Sequence, residues 1–246
     1  SSGMVNVVNA LAAVKKLVDD DKVCTLPELR AACENNWQGH EELRGKAVDA
    51  PKWGNNDDYV DDIYGNLFRV YADYVSEGTN YLGEPYDPSM LAISTHTPFG
   101  KACGATPDGR YAGEPLCDGV TSPYPGTDIN GPLSALLSAS KIDHTMIRGG
   151  LHNMKFHPSA LKGVQGSKKL LTLIKTYFDH PGFQLQFNVV DSAMLRDAQR
   201  HPQNYRELIV RVAGFSAFFV ELSRSIQDQI IARTEYGFST QAAHIL

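Results

Sequence analysis

The sequence has little of what would place a chain in a membrane, on a nucleic acid or around a metal. Its longest apolar run lies around Val212–Val220, far short of the roughly 20 residues that a bilayer-spanning helix needs. No basic segment precedes an apolar core at the N-terminus, so no signal peptide is read and a cytoplasmic, membrane-free location is expected. Basic residues are outnumbered, 23 Lys plus Arg against 28 acids. A net charge of −5 argues against nucleic acid as a partner, because phosphate binding needs a basic face. Cysteine is scarce as well. Cys24, Cys33, Cys103 and Cys117 are too few for a disulfide framework in 246 residues, and no pair has CxxC spacing. His96, His144, His152, His157, His180 and His201 never fall at HxxxH or HExxH spacing, so no metal site is expected. A GxSxG nucleophile elbow and the phosphate-binding glycine loops are missing too.

What remains is an ordinary globular composition, 42% hydrophobic and 21% charged, in a chain long enough to bury a core. Ser1-Ser2-Gly3 is read as a non-native leader and set aside. Met4–Asp19 places Val7, Val8, Leu11, Val14 and Val18 at helical spacing. Thr25-Leu-Pro-Glu28 is a capping box, with Pro27 in the first turn, and it opens a second helix to about Glu34. A third helix spans Asp57–Glu77, with Val60, Ile63, Leu67, Val70, Tyr71 and Tyr74 as its apolar repeat, Gly78 as its stop, and Asp57, Asp58, Asp61 and Asp62 expected on its solvated face. Residues 79–132 are rich in Gly and Pro, with one short strand expected at Met90–His96; such a long irregular stretch is usually functional. Strands and helices then alternate. Helices are expected at Pro132–Lys141, Ser167–Phe178, Ser192–Arg200 and Ser223–Arg233. The intervening strands fall at Gly150–Phe156, Phe183–Val190, Leu208–Ala213 and Ser216–Val220. This order is α/β.

Between the last two strands sits a lone glycine. By periodicity it is a turn or bulge residue. Its neighbours, Arg211-Val-Ala-Gly214-Phe-Ser216, closely resemble the signature of the glycyl radical enzymes, in which this glycine stores a backbone radical. The likeness continues along the chain. Ala50-Pro-Lys-Trp-Gly-Asn-Asn-Asp-Asp58, Gly104-Ala-Thr-Pro-Asp-Gly-Arg110 and Glu114-Pro-Leu-Cys-Asp-Gly119 resemble the family in order. So do Gly126-Thr-Asp-Ile-Asn-Gly-Pro132, Leu151-His-Asn-Met-Lys-Phe156, Gln186-Phe-Asn-Val-Val190, Asp197-Ala-Gln199, His201-Pro202 and Gln227 through Glu235. The branch resembled is that of dehydratases, decarboxylases and carbon–heteroatom lyases rather than pyruvate formate-lyase. Glycine suits the chemistry: an α-carbon radical between an amide nitrogen and a carbonyl is stabilised by delocalisation when the site flattens, and only glycine flattens unhindered. The apolar flanks Val210, Val212, Phe215, Phe218 and Phe219 suit a site that excludes water.

The resemblance implies the C-terminal half of a ten-stranded α/β barrel over residues 4–189, then a glycyl radical domain over 190–246. It implies Gly214 as the radical carrier, with Arg211, Val212, Ala213, Phe215 and Ser216 as loop neighbours. No cofactor is implied as bound. The radical is a post-translational modification, installed by a radical S-adenosylmethionine activase that carries an iron–sulfur cluster. The family's Gly-Cys-x-Glu loop is missing from the sequence, and Cys33-Glu34 has the wrong spacing and setting. The leading expectation is therefore the radical-bearing subunit of a split lyase, paired with a larger subunit that supplies the thiyl cysteine. A spare part for an oxygen-cleaved enzyme, a truncated copy and a non-enzymatic α/β scaffold are the alternatives. Radical dehydration of a small polar substrate is expected, with arylacetate decarboxylation as runner-up. Ser94, Thr95 and His96 are the candidate pocket residues.

Overall fold

The computed structural model describes residues 3–90, 94–146 and 148–237. Helix α1 (Met4–Val14) buries Val5, Val8 and Ala12, and continues as a π-helical turn over Lys15–Asp20. Val7 and Leu11, expected in its core stripe, are exposed. Helix α2 (Leu26–Glu34) starts on the capping box, where the Thr25 N–H donates to Glu28 Oε2 at 2.7 Å. Helix α3 (Glu41–Asp49) was not anticipated; it buries only Ala47 and so shows no apolar stripe to read. Helix α4 (Asp58–Ser76) turns Val60, Tyr64, Phe68 and Ala72 to the core, one residue every turn, and packs on α1.

The acidic cluster at the start of α4 divides. Asp57 caps the helix through the Tyr59 N–H. Asp61, expected in solvent, is buried and accepts from Lys141 Nζ at 2.6 Å. Burial raises its carboxyl above the ordinary range, against the pull of Lys141.

The expected strand at 90–96 gives way to other structure. Residues 91–93 lie outside the described ones, Ser94 and Thr95 form a turn, and His96 opens helix α5 (His96–Ala102). Pro98 sits in the first turn of α5, where its missing N–H has no helical partner to lose. The rest of the irregular segment is pinned by buried side chains rather than by ladders. Arg110 donates to the carbonyls of Tyr111, Glu114 and Gly104, and Trp53 Nε1 and Tyr64 OH donate to Thr121 and Val120. This places Asp118 deep in the molecule.

After α6 (Gly131–Ser140), β1 (His152–Phe156) pairs in parallel with β2 (Leu185–Val189) across α7 (Gly163–Asp179). Strand β5 (Glu235–Tyr236) pairs with the other edge of β1, giving the order β2-β1-β5. Helix α8 (Ser192–Arg200) leads to β3 (Ile209–Arg211) and β4 (Ser216–Phe218), an antiparallel hairpin apart from that sheet, and α9 (Arg224–Ala232) follows. The fold is mixed α/β, but the sheet has three strands among the described residues, short of half a ten-stranded barrel. Three apolar clusters result among the described residues. One lies between the helices and β1; a second gathers Val190, Leu195, Ala198, Val210, Val212, Phe219 and Ile230 under the hairpin; a third joins Leu17, Leu29, Ala32, Trp37 and Ala47 around α2 and α3.

Candidate functional site

Gly214 lies at the tip of the β3–β4 hairpin. The rungs Ile209–Phe218, Val210–Ala217 and Arg211–Ser216 bring the strands together, and the Val212 N–H donates to the Phe215 carbonyl at 2.9 Å. Gly214 turns the chain with φ +78°, a backbone region that glycine enters without penalty. A methyl built on its α-carbon would meet nothing within 4 Å. The positive φ, rather than crowding, is what this turn asks of glycine.

The loop is only half enclosed. Val210, Val212, Ala213 and Phe219 are buried, whereas Gly214, Phe215, Ser216 and Phe218 face solvent. A fully water-excluded tip, expected from the apolar flanks, is therefore not formed by the described residues alone. Arg211 Nη1 donates to Ser216 Oγ at 3.1 Å, which ties the two loop neighbours across the hairpin.

Beneath the tip lies a buried polar network. Gly214 N–H donates to Gln186 Oε1 at 3.2 Å, Gln186 Nε2 to Asn153 Oδ1 at 2.6 Å, and Asn153 Nδ2 to Asp118 Oδ2 at 3.0 Å. The Arg233 guanidinium pairs with Asp118 at 2.5 Å and donates to the carbonyls of Val212 and Arg211. Asn188 holds both the N–H and the carbonyl of Arg211 at 2.8 Å. The parallel register sets Asn153 opposite Gln186 and Lys155 opposite Asn188, so one face of the sheet is polar and buried. These residues stood inside the recognised motifs, yet none was singled out. The available signal was the every-second-residue polarity of both strands.

A second polar cluster flanks the first. Lys155 Nζ donates to Ser192 Oγ and the Ile231 carbonyl and lies 3.7 Å from Glu235; burial pushes its pKa down to about 8. His157, Asp191 and Glu235 bring ligand-type atoms within 4.8 Å of one another. His157 Nε2 lies 3.9 Å from Asp191 Oδ2 while its Nδ1 accepts from the Ser159 N–H, and a Glu235 oxygen accepts from the Ser192 N–H at 2.9 Å beside the Lys155 ammonium. A cation there would meet a positive neighbour.

The expected pocket residues Ser94, Thr95 and His96 lie at the start of α5. Thr97 N–H donates to the Ser94 carbonyl, Phe99 N–H to that of Thr95 and Leu116 N–H to that of His96, which ties the segment to α5 and the central loop. Three of the thiols are held in the protonated form. Burial raises Cys24, takes Cys33 up to about 11 and raises Cys117, whose Sγ donates to the Ser122 carbonyl.

Comparison with known proteins bears on this geometry. Residues 118–220 match the family model "Glycine radical", and residues 1–100 match "Pyruvate formate lyase-like". The indoleacetate decarboxylase of Tractidigestivibacter scatoligenes is 46% identical over 96% of this chain and 29% of its own length. The 4-hydroxyphenylacetate decarboxylase glycyl radical subunit of Clostridioides difficile is 43% identical over 95% of this chain and 28% of its own. The solved B12-independent glycerol dehydratase from Clostridium butyricum superimposes with a TM-score of 0.92 at 46% identity, covering 96% of this chain and 30% of that one. The chain thus spans under a third of the length of these relatives.

Proposed function

We propose, from the premise that the chain belongs to the glycyl radical enzyme family, that it stores a radical on the α-carbon of Gly214 and passes it to a cysteine outside these residues. The observation that carries this is the hairpin tip: a glycine at φ +78° with open space around its α-carbon and its amide anchored from below. A radical S-adenosylmethionine activase with an iron–sulfur cluster needs access to that carbon, and Arg211 and Ser216 border it. A stored radical also needs cover from oxygen and water. With Phe215 and Phe218 exposed beside the glycine, the cover comes from outside these residues.

The sequence contains no Gly-Cys-x-Glu, so the thiyl cysteine lies elsewhere. We place it on a larger partner subunit, with residues 4–189 completing its barrel and 190–246 forming the radical domain. The length of the relatives supports a second reading, in which the cysteine lies on the same, longer polypeptide. The reaction proposed is dehydration of a small polar substrate, with Ser94, Thr95 and His96 toward the substrate side. Arylacetate decarboxylation is the competing reaction, favoured by the indoleacetate decarboxylase likeness.

Anaerobic activation, with the cysteine-bearing portion supplied, should give an organic-radical EPR doublet, and air should then cut the chain beside Gly214. Neither signal appearing would leave a scaffold. A panel of diols, hydroxyproline, choline, isethionate and arylacetates reads the reaction. Carbon dioxide from arylacetates alone overturns the dehydratase reading, and turnover by the isolated chain overturns the external cysteine.

A further inference from the structure

The Gly214 amide is held by a side chain, Gln186, and that side chain is the end of a line. Direction is forced along it. An N–H can only donate, so Gln186 presents its oxygen to Gly214 and its Nε2 to Asn153. Asn153 must then accept at Oδ1, which leaves its Nδ2 for the Asp118 carboxylate. Flipping either amide would set oxygen against oxygen or N–H against N–H. Arg233, at 2.5 Å from Asp118, fixes the charged end. Asp118, Asn153 and Gln186 are 3%, 7% and 4% exposed, too little for water to take the place of a link.

We infer that Gln186 is a positioning residue for the radical on Gly214, the terminal acceptor of a directed amide chain that starts at the Asp118 carboxylate. The inference rests on the radical reading of Gly214. Two effects follow from the geometry. First, each amide in the chain is polarised by the one before it, so the Gln186 oxygen is a stronger acceptor than an isolated amide. An acceptor on the Gly214 N–H raises electron density at nitrogen, and that lone pair is the donor half of the delocalisation that stabilises an α-carbon radical. Second, the bond fixes the plane of the Gly214 amide, and with it the direction in which the α-carbon presents hydrogen. Support of the hairpin as a whole is carried by other groups. The ladder, the Asn188 clamp on Arg211 and the Arg233 contacts hold the strands without Gln186.

The test uses Gln186→Met, which removes the acceptor, and Gln186→Glu, whose neutral carboxyl can accept from Gly214 and donate to Asn153. The first readout is the Gly214 amide proton by NMR in the unactivated chain labelled with [15N]glycine, its signal identified by its loss in Gly214→Ala. Exchange of this proton should speed up roughly five- to tenfold in Gln186→Met and return toward the native rate in Gln186→Glu. The second is the lifetime of the EPR doublet after anaerobic activation with the cysteine-bearing portion present. It should shorten by a similar factor in Gln186→Met and recover in Gln186→Glu. Equal amide exchange in all three proteins overturns the positioning role. Faster exchange with an unchanged doublet lifetime overturns the electronic role. A protected Gly214 amide in a native protein that never yields a doublet overturns the radical reading itself, which separates its failure from that of the hydrogen bond.

Discussion

Gly214→Ala separates what the glycine does for the fold from what it does for chemistry. The added methyl meets nothing within 4 Å, so the substitution creates no clash. Its cost is conformational, an L-residue held at φ +78°, about 1–2 kcal/mol. Gly100, in helix α5, provides the contrast. A methyl there would lie 2.3 Å from the Glu114 carbonyl oxygen and 2.7 Å from Pro115 Cα, backbone atoms that cannot swing away. Gly100→Ala must shift the helix or the loop beneath it, an overpacking expected to cost about 3 kcal/mol. Urea unfolding of the two variants side by side should therefore show a small loss for Gly214→Ala and a large one for Gly100→Ala. Anaerobic activation should invert the ranking, with no doublet from Gly214→Ala because the methyl hinders both hydrogen abstraction and flattening. Refutation has two forms. If Gly214→Ala unfolds as easily as Gly100→Ala, the glycine is required by the fold; if it yields a radical and is cut by air, Gly214 is not the carrier.

Asp118→Asn leaves the Arg233 guanidinium buried beside a neutral partner, and urea unfolding should show a loss of about 3 kcal/mol. His152 is held neutral by burial, which takes its pKa from 6.5 down to about 4, despite the pull of Asp118. The unfolded chain then takes up the proton first, so this contribution is intact above pH 6.5 and is lost as pH falls toward 4. The loss reaches about 3 kcal/mol; urea midpoints across that range should drop less steeply in His152→Gln. Thr25→Ala removes the capping-box oxygen that accepts from the Glu28 N–H, and thermal unfolding should show a loss of about 1 kcal/mol.

The sequence was most readable where one periodicity governed a segment. The helix from Asp58 declares itself by its apolar repeat, although the stripe expected from Val60, Ile63, Leu67, Val70, Tyr71 and Tyr74 is rotated from the buried one: Val60, Tyr64, Phe68 and Ala72 face the core, while Val70 and Tyr74 face solvent. Thr25 with Glu28 announces the helix that follows them. Helices α3 and α5 were missed for opposite reasons. One buries a single alanine; the other reads as a loop because Pro98 and Gly100 both fall inside seven residues. Asp61 was misplaced because its partner, Lys141, lies 80 positions away and no local pattern joins them. The radical loop was legible only through resemblance, and its support showed only as an alternating polarity whose buried face the strands themselves do not reveal. In β2 the buried positions are Gln186 and Asn188, whereas Val189 is exposed, the reverse of the usual assignment of polar residues to water. The hairpin covers the polar face of the strand, and a pattern within one strand carries no record of what covers it.

That inversion bears on how the loop opens. The second apolar cluster, with Val190, Leu195, Val212, Phe219 and Ile230, is separate from the main core, and the seam between them is largely polar: Gln186, Asn188, Arg233, Lys155, Ser192 and Glu235. Opening an apolar seam forfeits its burial outright, about 25 cal/mol for each Å² re-exposed. Opening a polar one exchanges each hydrogen bond for one to water, at a net cost near 1 kcal/mol. The hairpin with α8 and α9 is therefore expected to lift from the sheet at less cost than unfolding the core, tethered where β5 pairs with β1. An activase that must reach Gly214 needs such a low-cost opening. Hydrogen exchange followed by mass spectrometry checks it. Amides from residue 190 to 232 should exchange well before those of β1 and β2, and more so with activase bound. If this segment proves the most protected part of the chain under both conditions, the seam does not open and access to Gly214 must be gained another way.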